Sequence, residues 1–386
     1  MTGEDPHQDL RRGVAAVCAA FDDAYWRRCD EEHRFPQAFY DALAEGGWIG
    51  IALPTEYGGG GAGITEASVM LEEIAASGAA MNGCSAVHLS IFGMNPVLKH
   101  GSEAMRRRYL PRVATGDLHV AFGVTEPDAG TDTTAITTRA EPVDGGYRVT
   151  GRKIWTTKAT VAEKVLLLVR TTPRAEVARR TEGMTLLLAD LQRPEVTITP
   201  IEKLGRNAVV SCEVAYDGLF VAAEDRVGEE GRGFSYLLDG LNPERILLAA
   251  EALGIGRVAL ARAVAYAKER VVFGRPIGAN QGLAFPLAEA HARLHAAGLV
   301  VRQAAERYDA GLPCAEAANI AKWLAADAGF AAADQAVQTL GGMGYAKEFD
   351  VERYWREARL LRLAPVSQEM ALNYLAEHVL GLPRSY

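Results

Sequence analysis

Long apolar runs are missing from this sequence. No stretch reaches the roughly 18–20 apolar residues that a membrane span needs. The opening MTGEDPHQDLRRG is too polar to hold the apolar core of a secretory signal. Cysteine is sparse: five residues, odd in number and scattered, none in a C-x-x-C pair. That argues against a disulfide framework or a zinc site and for a reducing, cytoplasmic setting. An excess of basic charge is also missing. Lys and Arg number 41 against 49 Asp and Glu, a net charge of −8. Nucleic acid as the main partner is therefore not expected, because phosphate binding rests on a basic surface. No P-loop occurs, and no G-x-G-x-x-G opens a helix directly after a strand, so a dinucleotide fold of the Rossmann type has little support. No internal repeat or low-complexity tract is evident.

What is present describes a globular chain of 386 residues, 49% hydrophobic and 23% charged. At roughly 100–200 residues per domain, two or three domains are expected. The first third reads as helix. Residues 8–28 carry Leu10, Val14, Val17, Cys18, Phe21 and Tyr25 at spacings of three and four. Pro36 opens a second helix, and Thr65 caps a third that runs to Ala80 with Glu66 in its first turn. The middle third changes period. His119–Val124, Tyr147–Thr156, Lys164–Arg170, Met184–Leu191, Val196–Pro200 and Val209–Phe220 are short β-rich runs with no helices between them. They predict an antiparallel sheet or barrel. The last third returns to long Ala-, Leu- and Glu-rich segments broken by short turns, which predicts an antiparallel helical bundle.

Two segments of the middle third are suited to a polar, planar ligand. Gly123–Asp132, GVTEPDAGTD, offers closely spaced N–H groups and hydroxyls without a lysine. Trp155-Thr156-Thr157 ends a β-run with a flat ring beside hydroxyls. Taken alone, the first reads equally as a tight loop and the second as a buried structural tryptophan. His291 and His295, four apart, read as a helix face, since no third metal ligand accompanies them.

In their order and spacing these two segments resemble the acyl-CoA dehydrogenase family. The resemblance extends over nearly the whole chain. It takes in Gly47-Trp48-Ile49-Gly50, the run from Val227 to Phe234, Arg270–Ile277 with Gln281, and Gln338–Tyr345. It implies an α+β fold: an N-terminal helical domain (1–119), a middle antiparallel β-domain (120–232) and a C-terminal four-helix bundle (233–386). It further implies FAD. Phe122, Val124, Thr125, Trp155 and Thr157 would surround the flavin ring, with Gly130 and Thr131 near the pyrophosphate and the substrate. Arg270, Phe273, Gln281, Gln338 and Gly342 would complete the FAD site of a neighbouring subunit, in a homotetramer built as a dimer of dimers. Ser367 and Glu369 would add cofactor or loop contacts.

The implied reaction takes the α-proton of an acyl thioester to a base while the β-hydrogen leaves as hydride to flavin N5. Electrons then pass to an electron-transfer flavoprotein or a similar acceptor. The substrate would be acyl-CoA, or an acyl chain on a carrier protein, and the setting fatty acid metabolism. In much of the family the base is a Glu near the C-terminus, where this chain has Pro365. Isovaleryl- and long-chain-type members carry it on a helix directly before an Arg, which here gives Glu244 followed by Arg245. In isolation Glu244 reads as a first-turn helix acid with Pro243 at the first position. Thr131, Asn242, Arg245, Ala364 and Pro365 would face the substrate. Proline has no N–H, so the donor that the family uses for the thioester carbonyl is absent at 365. Two other readings stay open: a flavin-dependent monooxygenase or oxidase on the same fold, and a flavin-binding subunit without turnover.

Overall fold

A computed structural model describes residues 5–384. Seven helices come first: α1 (Gln8–Cys18), α2 (Asp23–Glu31), α3 (Gln37–Glu45), α4 (Ile64–Ile74), α5 (Ala80–Val87), α6 (Asn95–His100) and α7 (Glu103–Ala114). Eight strands follow: β1 (Val120–Gly123), β2 (Arg139–Val143), β3 (Gly146–Thr157), β4 (Lys164–Arg170), β5 (Met184–Asp190), β6 (Val196–Pro200), β7 (Ser211–Ala222) and β8 (Arg226–Val227). Then come α8 (Gly233–Glu269), a hairpin of β9 (Val271–Val272) and β10 (Arg275–Pro276), α9 (Gln281–Asp309), α10 (Ala315–Leu340), α11 (Val351–Leu360) and α12 (Gln368–Tyr374).

Three expectations for the N-terminal third are corrected. The single helix over 8–28 is two, because Asp22 caps a new start by accepting from Tyr25 N at 2.8 Å. Gln37, not Pro36, is the first residue of α3, and Pro36 sits at its N-cap. The helix expected from Thr65 to Ala80 starts at Ile64 and breaks at a π-turn over 75–79, where Gly78 has φ +100°. Its start is capped from elsewhere. The Asp309 carboxylate at the end of α9 accepts from Ile64 N and Thr65 N, both at 2.8 Å, and from Thr65 Oγ1 at 2.6 Å.

The sheet runs β6-β7-β3-β2-β4-β5-β8, with β1 beside β4. Most pairs are antiparallel, as expected. β1 pairs parallel with the first half of β4, and β2 meets the last residue of β4 in parallel. The β2–β3 hairpin supplies the crossover that a parallel pair needs. β4 is buried along its whole length, which explains its unbroken apolar run. Leu166 and Leu168 face a core with Met105, Tyr109 and Leu110 of α7. Val165, Leu167 and Val169 face the opposite core with Val149 and Val214.

The N-terminal helices and the C-terminal bundle share one core, in which Trp26, Phe39 and Met70 join Ile246, Leu253 and Val301. α8 and α10 cross closely. A Cβ on Gly329 would lie 2.4 Å from Ala252 O, so only glycine permits this approach. Among the described residues no helix is long and apolar enough to cross a membrane.

Candidate active site

The end of β3 is the first element of the site. The β3–β7 ladder is irregular between Lys153 and Thr156, and Trp155 there takes φ +61°. The irregularity turns the indole outward, 52% exposed, so Trp155 is not the buried structural residue that it would be in isolation. The loop after β1 is fastened to the same place. Thr125 O accepts from Ile154 N at 2.9 Å. The buried Lys153 ammonium donates to Val124 O and to Glu126 Oε1, both at 2.9 Å. Glu126 in turn accepts from Thr137 N and Thr138 N at 2.7 and 2.9 Å. Burial alone would raise the Glu126 carboxyl; Lys153 and these donors outweigh it and hold it at about 2. The GVTEPDAGTD segment is thus a pinned platform. Phe122, just before it on β1, and Val124 are half-buried, Gly130 and Thr131 are exposed, and open space lies where a Cβ on Gly130 would be.

α8 carries the second element. Pro243 lies inside this helix, not at its start, so Glu244 is far from the first turn and its reading as an N-terminal helix acid is excluded. Glu244 is 6% exposed. Burial pushes it up to about 8; Glu251, two turns on, adds to this, while Arg245 and Lys322 oppose it. Arg245 donates to Asn242 Oδ1 at 3.2 Å, and its buried Nε has no acceptor among the described residues.

Lys322 was not singled out from the sequence. It sits buried on α10, held near 8 by burial, and donates to Leu361 O at the end of α11. It therefore links the surroundings of Glu244 to the turn that leads to Ala364 and Pro365. In that turn Ser367 caps α12 by accepting from Met370 N at 3.3 Å, and Glu369 is exposed. The N–H groups of Leu363 and Ala364 go to Leu360 O.

The third group stands apart. Arg270 and Phe273 lie in the β9–β10 hairpin, Gln281 starts α9, Gln338 is in the last turn of α10, and Gly342 follows it. All are exposed, and the Phe273 ring is fully so, at 101%. Among the described residues no hydrogen bond joins this group to the β3 end or to Glu244. His291 and His295 line a groove with Arg257 and Leu294, and no metal-binding cluster occurs among the described residues.

Comparison with known proteins covers almost the whole chain. The profile "Acyl-CoA dehydrogenase, N-terminal domain" matches residues 4–117, the middle-domain profile 121–219 and the C-terminal-domain profile 231–380. The chain belongs to the acyl-CoA dehydrogenase family. It is 40% identical to acyl-CoA dehydrogenase FadE12 of Mycobacterium tuberculosis, over 99% of this chain and 98% of that protein. It is 34% identical to cyclohex-1-ene-1-carbonyl-CoA dehydrogenase of Syntrophus aciditrophicus, over 86% and 80% of the two chains. The structure of butyryl-CoA dehydrogenase from Megasphaera elsdenii matches with a TM-score of 0.91 and 29% identity, covering 98% of this chain and 99% of that one. The chain is thus an oxidoreductase of the acyl-CoA dehydrogenase type, with the helical, sheet and helical parts of that fold.

Proposed function

We propose that this acyl-CoA dehydrogenase removes the α- and β-hydrogens of an acyl-CoA thioester with Glu244 as the base. The observation that carries this reading is Glu244 itself: a carboxyl buried on α8, flanked by Arg245 and Lys322, and held near 8. A base of that pKa, kept from water, is matched to a weakly acidic α-proton. When Glu244 takes the proton, the electron pair of that C–H bond forms the new double bond. The product is the 2,3-enoyl thioester.

FAD is the cofactor, and when bound it takes the β-hydrogen with its electron pair. The residues present suit it. Trp155 offers an exposed flat ring, and Thr125, Thr131 and Thr157 offer hydroxyls in the two segments of the site. Gly130 and Gly342 leave open space for close backbone approach. The exposed Arg270, Phe273, Gln281, Gln338 and Gly342 belong, in this reading, to the FAD site of a neighbouring subunit in a homotetramer. Ser367 and Glu369 add cofactor or loop contacts in the same reading. An Arg fork suits a diphosphate.

Asn242 holds Arg245, whose unpaired Nε is a donor for substrate oxygen. Pro365 cannot donate. The Val366 N–H has no acceptor among the described residues and takes over as donor to the thioester carbonyl beside Thr131 and Ala364. Electrons leave to an electron-transfer flavoprotein. Anaerobic titration of the holoenzyme with straight, branched and cyclic acyl-CoAs tests the reading. The oxidised-flavin band should bleach in the parent and stay in Glu244→Gln; equal bleaching in both removes Glu244 from the role of base.

A further inference from the structure

Three residues other than glycine hold left-handed backbone at one place. Trp155 and Lys158 flank the end of β3 at φ +61° and +69°, and Arg206, in the loop before β7, faces them at φ +59°. Such backbone is costly outside glycine and persists only where surrounding contacts impose it. Here the contacts are visible. Lys158 N donates to Val210 O at 2.9 Å, and Lys203 Nζ donates to Arg206 O at 2.5 Å. The Arg206 guanidinium is thereby aimed at the β3–β7 ladder. Its Nη2 donates to Thr157 Oγ1 at 3.1 Å and to Ser211 Oγ at 2.7 Å, two residues that face each other across the strands.

Among the described residues no carboxylate lies within ion-pair distance of Arg206. Glu251 and Glu357 attract it from farther away, and Glu251 already holds His88 Nδ1 at 2.8 Å. The positive charge is therefore closer to the Thr157 hydroxyl than to any carboxylate. Thr157 Oγ1 also lies 3.5 Å from Ser211 Oγ, a pair in which either hydroxyl can be the donor. With Ser211 donating, Thr157 accepts from both neighbours, its own O–H is left to donate outward, and the cation makes it a stronger donor.

We propose that Arg206 is a positioning residue for the redox half-reaction: it fixes and polarises the Thr157 hydroxyl so that this donor favours the electron-rich, reduced state of the flavin. The proposal rests on the reading of Thr157 as a flavin neighbour. It assigns Arg206 a role that neither the loop motif nor Glu244 supplies.

The experiment is an anaerobic redox-dye equilibration of the FAD-loaded enzyme and its Arg206→Gln, Arg206→Lys and Thr157→Val variants. In Arg206→Gln the ratio of reduced to oxidised flavin at fixed poise should fall about tenfold, equivalent to about 30 mV for a two-electron couple. Arg206→Lys keeps the positive charge but not the planar fork, and should shift the ratio less than Arg206→Gln does. Adding Arg206→Gln to Thr157→Val should change little further, because the two residues act through one contact. An unshifted potential in Arg206→Gln, beside a shifted one in Thr157→Val, overturns the role of Arg206 and leaves the site reading intact. No change in spectrum or potential in either variant overturns the placement of the flavin at Thr157. If Arg206→Gln does not retain FAD, Thr157→Val decides, and an unshifted potential there refutes the role of the Arg206–Thr157 contact.

Discussion

Glu244 lies buried on α8, and the cost of ionising it there sets both its pKa and its effect on stability. Its pKa is pushed up to about 8. Activity on acyl-CoA should therefore rise with pH, with the acid limb of kcat/KM centred near that value in the free enzyme. A limb near 4–5, the ordinary carboxyl range, would reject a buried base. Glu244→Gln should lower kcat by about 10²–10⁴-fold, the usual range for loss of a general base. The raised pKa also means that the folded state binds the proton more tightly than the unfolded one. The stability contributed is complete below the unfolded carboxyl range and is lost as pH rises towards 8. Denaturant titration should then show Glu244→Gln gaining on the parent between pH 5 and pH 8, and parallel curves would contradict the burial argument.

Lys158 is the opposite case. It is buried, donates to Ala86 O at 2.7 Å, and lies over the rings of Phe35 and Tyr40. Burial lowers it to about 7. The unfolded chain binds this proton more tightly, so the parent should gain stability as pH rises from 7 towards 10. Each pH unit in that window is worth at most about 1.4 kcal/mol. Lys158→Met should flatten this slope, and an unchanged slope in urea titrations would show that the ammonium is not the source.

At the scale of elements, the start of α4 depends on a residue 245 positions away in the chain. Asp309 satisfies two backbone donors there and the Thr65 hydroxyl. Asp309→Ala should cost about 1–2 kcal/mol, as loss of a good N-cap does. Asp309→Asn should recover part of it in the same denaturation series. If the Ala variant is as stable as the parent, water replaces the cap. Sequence periodicity located α4 and its first-turn Glu66, which does accept from Gly63 N at 2.9 Å. It placed the cap at Thr65 because local pattern contains no signal for a partner on α9. The π-turn at 75–79 was missed for a similar reason: Gly78 at φ +100° lies in an otherwise helical run, and one glycine alone does not end a helix pattern. The short β8 and the exposed β2 were also missed, since neither carries an apolar alternation.

At the scale of the whole molecule, the exposed hairpin bears on the proposed assembly. Phe273 stands fully exposed beside Val271 at 55%. Large apolar side chains uncovered together mark an interface. In the proposed homotetramer, Phe273→Asp should lower both the sedimentation coefficient and the FAD content of the purified protein. Retention of both would place the cofactor site within one subunit. Arg270→Ala should instead lose FAD while keeping the oligomer, because in the proposed site it removes a contact to the ligand and leaves the apolar surface.

The sequence by itself determined the order of helical, sheet and helical parts, because hydrophobic period changes from 3.6 to 2 and back along the chain. It also determined that Pro365 carries no N–H and that Glu244 precedes an arginine. Only the tertiary structure decided that Glu244 is buried in mid-helix rather than placed at a helix start, since α8 continues through Pro243. It alone brought Lys322 towards Glu244 and Arg206 to Thr157. These approaches join elements distant in sequence, and neither Lys322 nor Arg206 lies in a motif with a spacing to read. Burial, which sets the pKa of Glu244, is a property of packing, and no local pattern records it.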